Sequence, residues 1–268
     1  MKYLIIVLQF CLSVLGATDY MPWTRVDLEL YPSIDYTYQH YDRIQSTSGS
    51  RSRAGNDHLL GLGLYACYSS YSAELEAILA HTRDLPFGLD QFKLTAKYQI
   101  LDDIIGDCIS ATVGGSLIGA TRDAVEEYGL FHHSKFEGEL FLSIGEECSY
   151  KQFWLSHWWA MCGAGIGEKG SPWLFSQIAW ERNFCNAWHW RVFADILWGL
   201  GGKSLHLHES FHGYGSIKHR SIDLGTRITK LSDFCGYYHF EFIQRVWARN
   251  FPEYASIFQI RYTYPFGL

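Results

Sequence analysis

Twelve stretches of this 268-residue chain place an apolar or aromatic residue at every second position, with polar residues between them. Side chains along a strand point alternately to its two faces, so each stretch reads as a β-strand with one greasy and one wet face. The stretches cover 26–38, 60–65, 73–80, 92–100, 109–117, 135–144, 153–166, 174–181, 190–198, 222–229, 238–242 and 258–266. Only 153–166 is apolar on both faces, and its alternation does not say which face points out. After the first 17 residues no apolar run is long enough for a membrane-spanning helix.

Ten Trp, 18 Tyr and 17 Phe stand in a chain that is only 19% charged. That excess of aromatics over charge fits an antiparallel transmembrane β-barrel, in which half of each strand meets lipid and half meets a polar interior. An even strand number brings both chain ends to the same side, as in single-chain bacterial barrels, so twelve is consistent. A count by alternation can err by one hairpin, and ten or fourteen also fit. The connections alternate in length. The long ones are 43–57, 82–88, 119–134, 167–171, 199–216 and 248–255; the short ones are 69–71, 102–107, 146–152, 183–187 and 231–234. Long outer loops over short periplasmic turns are the expected asymmetry. No Pro-, Ser- or Gly-rich linker divides the chain, so 18–268 reads as one barrel domain. A secreted soluble β-protein that binds a ligand is the competing reading, since alternation alone does not say which face is wet.

Both ends agree with export. Lys2, an apolar run over 3–15 and the small residues Gly16 and Ala17 have the layout of a signal peptide covering 1–17. At the other end Phe258, Ile260, Tyr262, Tyr264 and Phe266 share one face. This segment, Phe258 to Phe266, resembles the C-terminal assembly signal of bacterial outer-membrane β-barrels, although Gly267 and Leu268 follow the last aromatic. The resemblance implies an outer-membrane location after Sec export, contact with outer-membrane lipid, and recognition by the barrel assembly machinery.

The wet faces carry Asp27, Glu29, Asp35, Glu74, Glu76, Glu137, Glu139, Glu181, Asp195, Asp223 and Glu241 against Lys93, Lys97, Lys135, Arg191, Arg227 and Arg261. These are the expected lumen-lining residues. A surplus of carboxylates mildly favours cations if the lumen is open; a salt-bridged, filled interior is the alternative. The net charge of −6 argues against a nucleic-acid partner. No cofactor is expected. Cys67, Cys108, Cys148, Cys185 and Cys235 all fall at or beside short turns, Cys162 lies within a strand, and Cys11 leaves with the leader. The five at the turns are candidate disulfide residues in an oxidising compartment. Their placement resembles chlamydial outer-membrane proteins, which implies disulfide-linked envelope partners. The absence of a Cys-x-x-Cys pair argues against zinc.

The segment 206–215 is the one candidate for chemistry. His208 and Ser210 stand on one side of an extended chain, as a base and a nucleophile would. The pair is similar to the His-x-Ser of outer-membrane phospholipases and lipid A deacylases, which implies a lipid acyl hydrolase with Asp223 or Asp195 orienting the His. Phe211 replaces the Asn that follows Ser in that family. The stretch also loosely resembles a short His-rich motif of uncharacterised outer-membrane proteins. His206, His208 and His212 offer a second option, a metal site, since alternate residues share a face. The reading preferred over these is a porin-like diffusion channel or structural envelope protein with a mixed, slightly acidic lumen.

Overall fold

The computed structural model describes residues 19–46, 49–151, 153–207, 210–232 and 236–267, with the side chains of 50–52 left aside. The alternating stretches form one closed antiparallel sheet. Its strands are β1 (Glu29–Ser46), β2 (Gly49–Tyr68), β3 (Tyr71–His81), β4 (Gly88–Leu101), β5 (Ser110–Ala120), β6 (Phe136–Tyr150), β7 (Phe153–Gly167), β8 (Trp173–Phe184), β9 (Trp188–Gly199), β10 (Arg220–Ser232) and β11 (Gly236–Arg249). The twelfth stave is broken into β12 (Pro252–Glu253), β13 (Ser256–Thr263) and β14 (Phe266–Gly267), all of which pair with β1. Each strand pairs with its sequence neighbours, and the β1–β13 pairing closes the ring. Closure removes the free edges that would otherwise recruit other strands.

The polarity is inverted relative to a soluble barrel. Glu74, Glu76, Glu181, Arg191 and Arg261 are buried inside, whereas Leu117, Leu140 and Ile178 are all more than 60% exposed outside. Charged groups enclosed by an apolar outer surface fit lipid as the outer solvent. Aromatic girdles bound this surface. Trp158 and Trp180 pair across β7 and β8 near the short turns, and Trp198 and Trp247 stand near the long loops. Trp190 and Trp198 share the outer face of β9 and lie about 20 Å apart along the axis, for a strand tilted by about 40°. On β7 the structure decides the ambiguous faces. Trp159 and Met161 point in, while Trp158, Cys162 and Ile166 point out.

Curvature is accommodated by glycine. Gly55, Gly114, Gly163, Gly165 and Gly225 each lie directly opposite an aromatic residue of the adjacent strand: Tyr41, Phe141, Phe175, Trp173 and Phe193 respectively. A Cβ at any of these glycines would overlap the facing ring. The rings thus lie flat over bare backbone, a device that keeps tightly curved sheets packed.

Several boundaries differ from the sequence reading, two of them in the first hairpin. The stretch 43–57, read as a loop, is mostly the continuation of β1 and β2, paired from Arg43↔Ser52 to Ser46↔Gly49 after a bulge. The strand read from 26 begins only at Glu29, because the chain before it turns into the barrel.

Candidate functional site

The barrel encloses a polar lumen, and the described residues fill it from both ends. At the long-loop end, the 121–135 connection begins with the short helix α1 (Arg122–Val125), capped by Thr121, whose Oγ1 accepts from Ala124 N at 3.3 Å. This connection, 200–207 and 210–219 fold inward over the barrel mouth. Tyr128, Leu205, Phe211, Tyr214 and Phe251 pack there against Tyr41 and Ile44 of the long β1–β2 hairpin. Asn250 ties the loops together, accepting from Leu205 N at 3.3 Å and donating to Lys218 O at 2.8 Å.

Three buried histidines sit beneath this cap. His132 Nε2 meets Asp90 Oδ1 at 2.6 Å, and the His133 ring stacks on Trp173 at 3.5 Å. The Nε2 atoms of His133 and His219 are 3.4 Å apart. Burial, and then the nearness of His133, push His219 down to about 3; burial also lowers His133. Burial opposes the charged form of His132 as well, but Asp90 and Glu137 outweigh it and raise that pKa. His219 and His133 therefore contribute stability that is fully present above an unfolded value near 6.5 and is lost as the pH falls through their lowered folded values. His132 works in the opposite sense, losing its contribution as pH rises. The protection of residues 210–219 against hydrogen exchange, corrected for the intrinsic pH dependence of exchange, is expected to fall as the pH drops from 7 to 4, and far less so in His219→Phe. Unchanged protection over that range would contradict neutral burial of His219.

At the short-turn end the segment 19–25 enters the lumen. Trp23 Nε1 donates to Asp103 Oδ1 at 2.8 Å, and its ring stacks on His157 at 4.4 Å. The carbonyls of Pro22 and Tyr20 accept from Thr112 Oγ1 at 2.5 Å and Ser143 Oγ at 2.6 Å. The Tyr20 ring packs edge-on against Phe141. The Arg25 guanidinium lies over Tyr31 and Tyr65. Lys97 Nζ donates to the Asp19 carbonyl. The Asp19 carboxylate meets Arg191 Nη1 at 3.2 Å and Arg227 Nη1 at 3.5 Å. Lys97 is on β4 and the arginines on β9 and β10, nearly opposite in a ring of twelve, so the segment crosses the lumen. One cavity beside it, bounded in part by Arg25, Tyr65, Glu74 and Lys97, holds about 20 Å³, on the order of a single water.

The wall charges are mostly paired, on neighbouring strands except for Lys93 on β4 with Glu139 on β6. Arg191 bonds Glu181 at 2.7 Å, Arg227 bonds Glu241, Lys93 meets Glu139 at 3.4 Å, and Arg245 grips both oxygens of Asp223 at 2.8 Å. Asp195 accepts from Gln177 at 2.8 Å, Glu29 from Tyr31 at 2.5 Å, and Asp35 from Gln259 at 3.0 Å. Glu137 is buried at the loop end, accepting from His133 N at 2.7 Å and Ser134 N at 3.1 Å. Two expected lining residues lie at the rims instead. Asp27 accepts from Ser69 N at 2.6 Å beside the short turns, and Lys135 is exposed at the loop end, because both precede the strands that would have carried them inward. Asp19, Arg25 and Arg245 were not foreseen. Arg245 escapes the pattern, because Ile243 inside and Gln244 outside invert the alternation of β11 after Phe242.

This architecture recurs among solved structures. No family model matches the chain, and no curated protein does. An outer membrane channel from Pseudomonas putida F1 superposes with a TM-score of 0.64 at 10% identity, covering 93% of this chain and all of that one. The NanC porin superposes at 0.59 with 6% identity, covering 88% of this chain and all of its own, and the KdgM porin at 0.52 with 11%, covering 87% and 99%. The shared feature is the fold of an outer-membrane barrel.

Of the remaining candidates, Asp223 is engaged by Arg245 through both oxygens, Ser210 is exposed, and His208 lies outside the described residues. Phe211 is buried in the cap rather than part of a polar surface loop. His206 and His212 are exposed, and no group of three His, Cys, Asp or Glu among the described residues is arranged for a metal. Cys67, Cys108, Cys148, Cys162 and Cys185 are free thiols, so no pairing forms among these five; Cys235 lies outside the described residues. Cys67 is buried and its Sγ faces Asp27, whereas Cys108, Cys148 and Cys185 are exposed.

Proposed function

We propose that the protein is a porin-like diffusion channel of the bacterial outer membrane, held closed in this conformation by its loop cap and its N-terminal segment. The observation that carries this reading is the closed twelve-stave barrel with a charged interior and a girdled apolar exterior. The likeness in fold to solved outer-membrane channels supports it. The carboxylate surplus of the lumen gives a mild preference for small cations. A structural envelope role is the second reading, favoured by the filled lumen. In either role Sec export removes 1–17, the last strand is delivered to the assembly machinery, and the exposed Cys108, Cys148 and Cys185 are available for disulfides to envelope neighbours.

One preparation tests these readings. Protein extracted from its membrane without reductant is expected to have the mass of a chain starting at Thr18, carrying any mixed disulfide. Inserted in planar bilayers, it is expected to show discrete, weakly cation-preferring steps. An inserted barrel that stays silent over all voltages would replace the channel reading with the structural one.

A further inference from the structure

The Asp19 carboxylate is the one group in the lumen that belongs to neither wall nor cap and yet is bound by wall arginines. Arg191 and Arg227 are each about nine-tenths buried, and each is already oriented by a partner on the adjacent strand, Glu181 and Glu241. Arg191 is also fixed from below by the Trp159 ring, 4.6 Å from its guanidinium carbon. A guanidinium fork held by a second carboxylate and an aromatic face is a pre-organised receptor for a planar anion. Glu74 and Glu76 on β3 lie across the barrel from these arginines, and of the carboxylates on β8 to β11 Asp223 is held by Arg245 and Asp195 accepts from Gln177. Asp19 stands at the start of its segment, whose other anchors lie further along at Tyr20, Pro22 and Trp23, whereas its receptor is built from two strands of the ring.

We propose that Arg191 and Arg227 form a binding site for the carboxylate group of a small anionic solute, and that Asp19 occupies it as an internal competitor. On this view the segment 19–23 is a plug that a carboxylated solute displaces by taking the place of Asp19. The proposal rests on the channel reading for its purpose, because a displaced plug matters only if something passes.

Two measurements separate the site from the channel. Detergent-folded barrels are titrated calorimetrically with succinate, and with neutral succinamide as the control, at fixed ionic strength. Asp19→Ala is expected to bind succinate at least tenfold more tightly than the unaltered protein, since its competitor is gone. The Asp19→Ala barrel should fold, because Arg191 and Arg227 keep Glu181 and Glu241. In Asp19→Ala combined with Arg227→Gln and Glu241→Gln, the added affinity is expected to vanish; removing both partners avoids stranding a buried charge. Equal affinity in Asp19→Ala and the unaltered protein, or equal heats from succinate and succinamide, would overturn the site. In bilayers, Asp19→Ala is expected to be open several-fold more of the time. Succinate binding without conductance would leave the site standing and remove the channel. Conductance that rises in Asp19→Ala without succinate binding would keep the plug and the channel and overturn the carboxylate site.

Discussion

Gly165→Val is expected to destabilise the barrel by about 2–3 kcal/mol, the cost of overpacking a filled interior. Strand propensity alone predicts the opposite, since valine suits a strand and glycine weakens one. The local geometry decides against propensity. Gly165 lies directly opposite Trp173, whose indole crosses the bare backbone where a Cβ would stand. Trp173 is 1% exposed and His133 is stacked on its other face, so the ring has nowhere to retreat. Gly138 is the matched control. It lies on the outer face of β6 with no atom within 4 Å of an added Cβ, and Gly138→Val is expected to be neutral or slightly stabilising. Urea unfolding of vesicle-inserted protein measures both. If the two valines had equal effects, the glycine–aromatic pairs would be incidental to the barrel's curvature.

Ile178→Arg is expected to cost about 2–4 kcal/mol in lipid, the penalty for a cation at the centre of a bilayer. Ile178 is 64% exposed and pairs with Ala194, which lies midway between Trp190 and Trp198. The aromatic girdles thus place it at the middle of the apolar band. The same change at Tyr150, exposed at the short-turn end of β6, should cost less than about 1 kcal/mol. In a water-soluble barrel both substitutions would be harmless, because arginine in water carries no such penalty. Comparable small effects at the two positions would therefore remove the membrane reading.

The strands were legible because lipid and lumen impose opposite demands on alternate residues. The alternation at Phe92, Leu94, Ala96 and Tyr98 is the trace of that contrast, and it led to the right pairing of neighbours all the way round. Where the contrast ends, so does the signal. The outer part of the β1–β2 hairpin runs past the stretch where outer and inner faces alternate in polarity, so 43–57 shows no period and reads as loop although 43–46 pairs with 49–52. The cap left a trace that periodicity does not register: Tyr128, Phe131, Phe211, Tyr214 and Phe251 are too many aromatics for loops exposed only to water. The segment 19–25 left almost none. Asp19, Tyr20, Trp23 and Arg25 mix charge and aromatics without period, and what fixes them is a set of partners distant in sequence, from Lys97 to Arg227. No local pattern records a contact made across a barrel. The acidic count of the wet faces could be read from the sequence, but which arginines would hold Asp19 could not.

The order in which the wall is completed follows from where the N-terminal segment lies. The ring joins its first strand to its last, β1 to β13, so it stays open until the whole chain has been delivered. By then 19–28 has partners on β2 and on strands β4 to β10. If the segment is seated while the sheet curls, successive hairpins wrap around it as around a mandrel before the final seam closes. Shortening it should then slow barrel closure during assembly, an effect on biogenesis separate from any on permeation.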